Sequence, residues 1–220
     1  MKAYTFRVLQ IDLSSGDSKL RLIPTEDMRA YLGGSNLGAR ILHPHLTRDL
    51  DPLSPDAPLL FLTGPLTGTT GPAVGRYVVC AKSPATHLWG ESNVGGYFGP
   101  ELRQTGYDGL FITGAADEPV YLNIQDGEVE LRSANHLWQE CDTYETQEKI
   151  KDELGDRLTR IACIGQAGEN LLQIAGILCD HGRVAGRTGM GAVMGSKRLK
   201  AVAVRGNGPI PITRPEEFKR

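Results

Sequence analysis

The chain has 220 residues, 23% of them charged, with 27 glycines and a net charge of only −2. That balance removes the electrostatic case for nucleic acid or an anionic membrane surface as partner. No apolar run is long enough to span a bilayer, and no basic segment leads into a short apolar stretch near residue 1, so the expectation is a cytoplasmic protein of one large or two small domains.

Residues 4–13 carry apolar side chains on both alternating faces, Phe6 and Val8 on one and Leu9 and Ile11 on the other, which predicts a strand covered on both sides. A turn at 14–17 returns the chain through 19–23 as a hairpin. Thr25, followed by Glu26 and Asp27, reads as the N-cap of a helix ending near Gly33-Gly34. A second helix is predicted over 37–46, before a Pro-rich loop at 51–58. His43 and His45 stand two apart and would not share a helical face, so they do not read as a metal pair. Strands are predicted at 59–63 and 77–81, a helix at 97–104 closed by Gly106, and a strand at 110–114. Residues 120–125 and 129–133 form a hairpin around Asp126-Gly127. A helix follows over 143–154, with Thr143 as N-cap and Gly155 closing it. Strands at 160–164 and 173–178 flank a loop at 165–170. A short helix at 191–197 and a strand at 200–205 complete the pattern, and the Pro-rich tail after Gly206 reads as a domain exit whose Pro215 opens another helix. Hairpins dominate and regular βαβ alternation is missing, which favours α+β over a doubly wound parallel fold.

Cys80, Cys141, Cys163 and Cys179 are far apart, and none forms a Cys-x-x-Cys pair. Zinc-ribbon, ferredoxin-like and thioredoxin-like readings lose their support. Cys80, Cys163 and Cys179 lie in apolar runs and read as small buried hydrophobes.

Two glycine-rich stretches carry the chemistry. The first, residues 64–99, places Gly64-Pro-Leu-Thr-Gly-Thr-Thr-Gly71 and Asn93-Val-Gly-Gly96 on either side of an apolar strand, with Arg76 and Lys82 beside them. The second, residues 180–200, interleaves glycines with Arg183 and Arg187 and ends in Ser196-Lys197. Glycine lets backbone approach a ligand, and guanidinium or ammonium groups grip phosphate. Either loop alone also reads as ordinary turns. The loose recurrence half a chain apart points to a duplication, two related halves offering polar loops to one shared ligand. No Gly-Lys-Ser/Thr closes the first run, so it is not a Walker A loop, and Gly189-x-Gly191-x-x-x-Gly195 misses the dinucleotide fingerprint by one residue. A nucleotide-binding oxidoreductase subunit stays open as an alternative. Ser83 and Ser92 read as exposed loop serines with no evident base.

These segments resemble the N-terminal domain of the aldehyde:ferredoxin oxidoreductase family, tungsten or molybdenum bis-pterin enzymes. The resemblance rests on Gly64-Pro-Leu-Thr-Gly68, Gly75-Arg-Tyr77, Lys82-Ser-Pro84, Asn93-Val-Gly-Gly-Tyr-Phe-Gly99, Gly106-Tyr-Asp108, Ile164-Gly-Gln-Ala-Gly-Glu-Asn170 and the 183–200 stretch, in family order over nearly the whole chain. It implies an α+β platform of two pseudo-symmetric halves with mainly antiparallel or mixed sheets, occupying residues 1–210, with 211–220 beginning a linker or next domain. It implies that Arg76, Ser92, Asn93, Val94 and Gly95 hold one pterin unit and Arg183, Val184, Gly186 and Arg187 the other. A magnesium ion between the pterin phosphates would sit on main-chain oxygens of Asn93 and Val184. The catalytic acid, the His and the cysteines of a [4Fe–4S] cluster lie beyond this domain in the family. The chain is thus expected to be a truncated piece of an aldehyde-oxidising enzyme passing electrons to ferredoxin, inactive alone. Its expected partners are C-terminal domains or a second subunit, and a homo-oligomer is open to it. A stand-alone module that lost the cofactor and serves assembly is the non-enzymatic alternative. Val94 stands where the family often has a small polar residue, and His181-Gly182 differs from some members.

Overall fold

A computed structural model of the chain describes residues 5–212 and 214–218. The first half runs β1 (Phe6–Asp12), β2 (Ser18–Ile23), α1 (Thr25–Tyr31), α2 (Gly34–Leu42), β3 (Leu59–Thr63), β4 (Tyr77–Lys82), β5 (Trp89–Val94), α3 (Phe98–Gln104) and β6 (Gly109–Thr113). The second runs β7 (Val120–Gln125), β8 (Glu128–Ser133), α4 (Thr143–Leu154), β9 (Arg160–Cys163), α5 (Gln166–Glu169), β10 (Ile177–Cys179), β11 (Arg183–Ala185), α6 (Met190–Ser196) and β12 (Leu199–Arg205), followed by α7 (Pro215–Phe218).

The strands form two six-stranded sheets, ordered β2-β1-β6-β3-β4-β5 and β8-β7-β12-β9-β10-β11. These are one topology written twice. In each, the hairpin strand lies outermost, the first strand pairs parallel with the last, and every other pairing is antiparallel. The fold is α+β, and the expected pseudo-symmetric halves are present as two mixed sheets.

Burial explains the layering. β3 and β4 are buried at every residue and β12 at all but its last, so neither sheet has a wet face at its centre. One core lies between the sheets: Leu59, Phe61, Val79 and Ile112 from the first face Ile124, Ala162, Val202 and Val204 from the second. Helices α3 and α6 are sandwiched there through Phe98, Leu102, Met190, Val193 and Met194. The outer face of the first sheet is closed by α1 and α2 through Met28, Leu37, Ile41 and Leu42. That of the second is closed by α4 through Ile150, with Leu137 and Cys141. All four cysteines are free and buried. No helix among the described residues is long and apolar enough to cross a membrane.

The expected elements differ from the structure in instructive places. Asp142, one residue earlier than Thr143, caps α4: its carboxylate accepts the Tyr144 and Glu145 N–H groups (2.8 Å each), and Glu145 returns the bond to the Asp142 N–H (3.0 Å). Thr25 is inside α1, whose N-cap is Pro24, and α2 starts at Gly34 rather than 37. Residues 91–94, expected as loop, belong to β5, a half-exposed strand in which Ser92 and Val94 point inward and Glu91 and Asn93 outward. Residues 183–185, also expected as loop, are β11. The strand expected at 173–178 is confined to Ile177–Cys179. The expected strand start at Tyr4 falls outside the described residues.

Candidate functional site

Each sheet has one edge strand that meets the other sheet: β5 at the end of the first and β11 at the end of the second lie against each other. This junction gathers the residues expected to bind a ligand. Arg76 precedes β4, and its guanidinium crosses to β5, where Nε donates to Asn93 Oδ1 and Nη2 to the Asn93 carbonyl (3.3 Å). Its Nη1 lies 3.5 Å from where a Gly95 Cβ would stand. Arg183, opening β11, lays its Cγ 3.2 Å from the corresponding position on Gly96. Arginines of the two halves therefore rest on consecutive glycines of one turn. Arg187 follows β11, and its N–H donates to the Ser92 hydroxyl (3.3 Å), while the Thr188 hydroxyl donates to the Glu91 carbonyl (3.2 Å). Arg76, Asn93, Arg183, Val184, Gly186 and Arg187 are all exposed along this edge.

Ser92 and Val94 are buried. The Ser92 hydroxyl faces the second half, so it supports the Arg187 loop from beneath and is not the exposed loop serine expected. Ser83 is likewise fully buried. Lys82, expected beside Arg76 as a phosphate donor, is corrected as well. It is buried at the other end of β4, and its Nζ donates to the carbonyls of Thr47, Arg48 and Leu50 (2.9, 2.8 and 2.7 Å). Three main-chain acceptors consume all three ammonium protons, leaving none for a ligand. Lys197 is buried too, donating to the Pro55 and Gly114 carbonyls (3.1 and 3.2 Å), and burial pulls its pKa down to about 8.

Beneath the glycines runs a buried layer whose polar contacts the sequence did not point to. Tyr77 donates its hydroxyl hydrogen toward Cys179 Sγ (3.5 Å), and desolvation raises the Tyr77 pKa well above the ordinary phenol value. Burial pushes the Cys179 thiol up to about 12, so it is an inert thiol. Next to it, Asp180 accepts the main-chain N–H groups of Tyr97 (2.6 Å) and Phe98 (3.2 Å).

A cleft of about 370 Å³ opens beside Arg76 and Asn93, bounded by Gly33, Gly34, Gly64 and Thr67. Pro65 and Thr67 in its wall are held from behind by Arg103, which pairs with Asp108 (2.9 Å) and donates to their carbonyls (3.0 and 2.6 Å). A larger cleft of about 740 Å³ lies between the body and the tail at Pro209, Ile210, Pro211 and Phe218, and includes none of the expected ligand residues. The arginine-bearing edge is therefore the better-supported site, since volume alone carries no chemistry.

Fold and site together define a duplicated two-sheet platform that offers guanidinium groups and main-chain atoms from a shared strand edge. The family model described as aldehyde ferredoxin oxidoreductase, N-terminal domain, matches residues 8–206, and the chain belongs to that family. It is 44% identical over 212 residues to the tungsten-containing aldehyde ferredoxin oxidoreductase of Pyrococcus furiosus, covering 96% of this chain and 35% of that one. The same figures hold for the tungsten-containing aldehyde ferredoxin oxidoreductase of Thermococcus kodakarensis. The aliphatic sulfonate oxidoreductase WOR-like subunit of P. furiosus is 36% identical over 227 residues, covering 96% of this chain and 36% of that one. Among solved structures, the active site complex BamBC of benzoyl coenzyme A reductase with 1,5-dienoyl-CoA matches with a TM-score of 0.94 at 38% identity, over 97% of this chain and 33% of that one. The chain spans about a third of the length of the relatives it matches.

The residues present fit a large anionic cofactor. A Cβ at Gly95 or Gly186 would stand in the space that a ligand approaching the edge needs, and little but Arg76 or Val184 lies near those positions. Arginine's planar fork suits phosphate and pterin acceptors.

Proposed function

We propose that this chain is the platform for a tungsten or molybdenum bis-pterin group in an aldehyde:ferredoxin oxidoreductase-type enzyme, with residues 1–210 forming the domain and 211–220 leading away from it. When bound, the group supplies the redox chemistry that oxidises an aldehyde to a carboxylate, with electrons leaving to ferredoxin through a [4Fe–4S] cluster held by cysteines outside this chain. This chain's residues bind and orient. Arg76 serves one pterin unit with Ser92, Asn93, Val94 and Gly95, of which Ser92 and Val94 act through the backbone and packing. Arg183, Val184, Gly186 and Arg187 serve the other. The main-chain oxygens of Asn93 and Val184 are the magnesium ligands of this reading. Arg76 spends two of its five N–H donors on Asn93 and keeps three for phosphate or ring acceptors.

The observation that carries the reading is the convergence of Arg76 and Arg183, one from each half, on Gly95-Gly96. The relatives add support. One is named for aldehydes, one for an aliphatic sulfonate and one for benzoyl-CoA, yet they share this domain at 36–44% identity. A domain that keeps its form while the substrate changes holds what those enzymes have in common, and the residues that select the substrate belong elsewhere.

The test is elemental analysis for tungsten, molybdenum and iron, with pterin fluorescence after oxidation, on protein produced with both metals supplied. Tungsten or molybdenum with pterin is expected, and Arg76→Ala lowers both at least about tenfold, the loss of a charge-assisted bond pair. Undiminished pterin in Arg76→Ala overturns the assignment.

A further inference from the structure

We propose that Asp180 is a positioning residue, a carboxylate latch across the junction that fixes the turn on which both arginine arms rest. This deepens the platform reading and rests on it. Asp180 occupies the tight turn between β10 and β11 with a positive φ of 46°. Its side chain is only 8% exposed. Oδ2 accepts two N–H groups from the other half, those of Tyr97 and Phe98, directly after Gly95-Gly96. Oδ1 faces Arg160 Nη1 at 3.8 Å. The Arg160 guanidinium lies over the Tyr97 ring at 4.9 Å, and its buried Nε has no hydrogen-bond partner among the described residues, so Arg160 is held here for its charge and its stacking.

The bond to Tyr97 has the short length of a charge-assisted one. The turn against which the Arg76 and Arg183 side chains rest is thus fixed by a carboxylate from the second half. In the opposite direction, Ser92 of the first half accepts the Arg187 N–H of the second. The two latches cross the same seam in opposite senses. Asp180 itself is no ligand group: both oxygens are committed beneath the surface, and its negative charge would repel a phosphate.

Three proteins decide the matter: the unaltered chain, Asp180→Ala and Asp180→Asn, each assayed for residue-resolved amide exchange and for pterin and metal content. Asn keeps one side-chain oxygen to accept the same N–H groups; Ala keeps none. Expected for Asp180→Ala is exchange at Tyr97 and Phe98 faster by about tenfold or more, with β3 and β12 still protected and pterin content down by a similar factor. Asp180→Asn returns both readouts to within about threefold of the unaltered chain. Unchanged exchange at 97–98, unchanged pterin in Asp180→Ala, or acceleration spread evenly through β3 and β12 overturns the proposal. Absence of pterin from the unaltered chain refutes the platform reading instead, and exchange at 97–98 then decides the latch alone.

Discussion

Gly95 and Gly96 are neighbours in one turn, and the structure assigns them opposite tolerances for a single methyl group. Gly96 has φ +103°, and a Cβ there would stand 2.4 Å from Asp180 Oδ2 and 3.2 Å from Arg183 Cγ. Backbone strain at such a φ costs roughly 1–3 kcal/mol for an L-residue. Displacing the carboxylate also strips the Tyr97 and Phe98 N–H groups of a charged acceptor, worth about 1.5–3 kcal/mol. Gly96→Ala should therefore lose about 3 kcal/mol or more, which in a domain of this size lowers Tm by roughly 6–12 °C. Gly95 lacks the positive φ, and the nearest atom to its added Cβ is Arg76 Nη1 at 3.5 Å, an ordinary contact. Gly95→Ala should stay within about 1 kcal/mol, as surface substitutions do. Urea titration of both variants, with circular dichroism melts alongside, gives the comparison. Two variants of equal stability would refute the geometry on which the junction is argued.

Other consequences follow from buried charge and capping. Lys200 and Glu169 form an ion pair with both side chains fully buried, so Lys200→Met should cost about 3–5 kcal/mol in urea titration, and adding Glu169→Gln should recover a large part of it. Lys197 has its folded pKa lowered to about 8 by desolvation, below the unfolded value of 10.5. The unfolded chain then binds more protons between those values, so stability rises with pH from about 8 to 10.5, by up to about 3 kcal/mol. Lys197→Met should flatten that rise in stability curves taken across the same window. Asp142→Ala should destabilise α4 by about 1 kcal/mol while Thr143→Ala changes little, measured as paired denaturation midpoints.

What the chain discloses about itself depends on whether the deciding partner is local. β3, β4 and β12 are legible because strands buried on both faces are continuously apolar, and the Asp126-Gly127 hairpin because its turn chemistry is two residues long. The cap of α4 was readable as well: Asp142 with Glu145 three residues on is a capping box, and that spacing outranks the neighbouring Thr143. β5 and β11 were hidden, since an edge strand needs apolar residues on one face only and β11 has three residues between glycines. Site arginines stand out because glycines surround them, but Lys82 and Lys197 lie beside the same stretches and carry the same charge. Only the fold shows that their ammonium groups are spent on distant carbonyls. Asp180 gave no sign at all, because Asp beside His and Gly is the ordinary dress of a turn.

The place where the two sheets meet has a consequence for solubility. An edge strand presents unpaired main-chain donors and acceptors, and proteins normally blunt such edges because another chain can add to them. Here β5 and β11 lie against each other at the ends of their sheets, and the Glu91 and Asn93 carbonyls accept hydrogen bonds from the side chains of Thr188 and Arg76. A ligand seated on those atoms would act as the missing strand, closing both sheets at once. The same valences that recommend this seam as a cradle leave it open to pairing with another chain whenever the cradle stands empty.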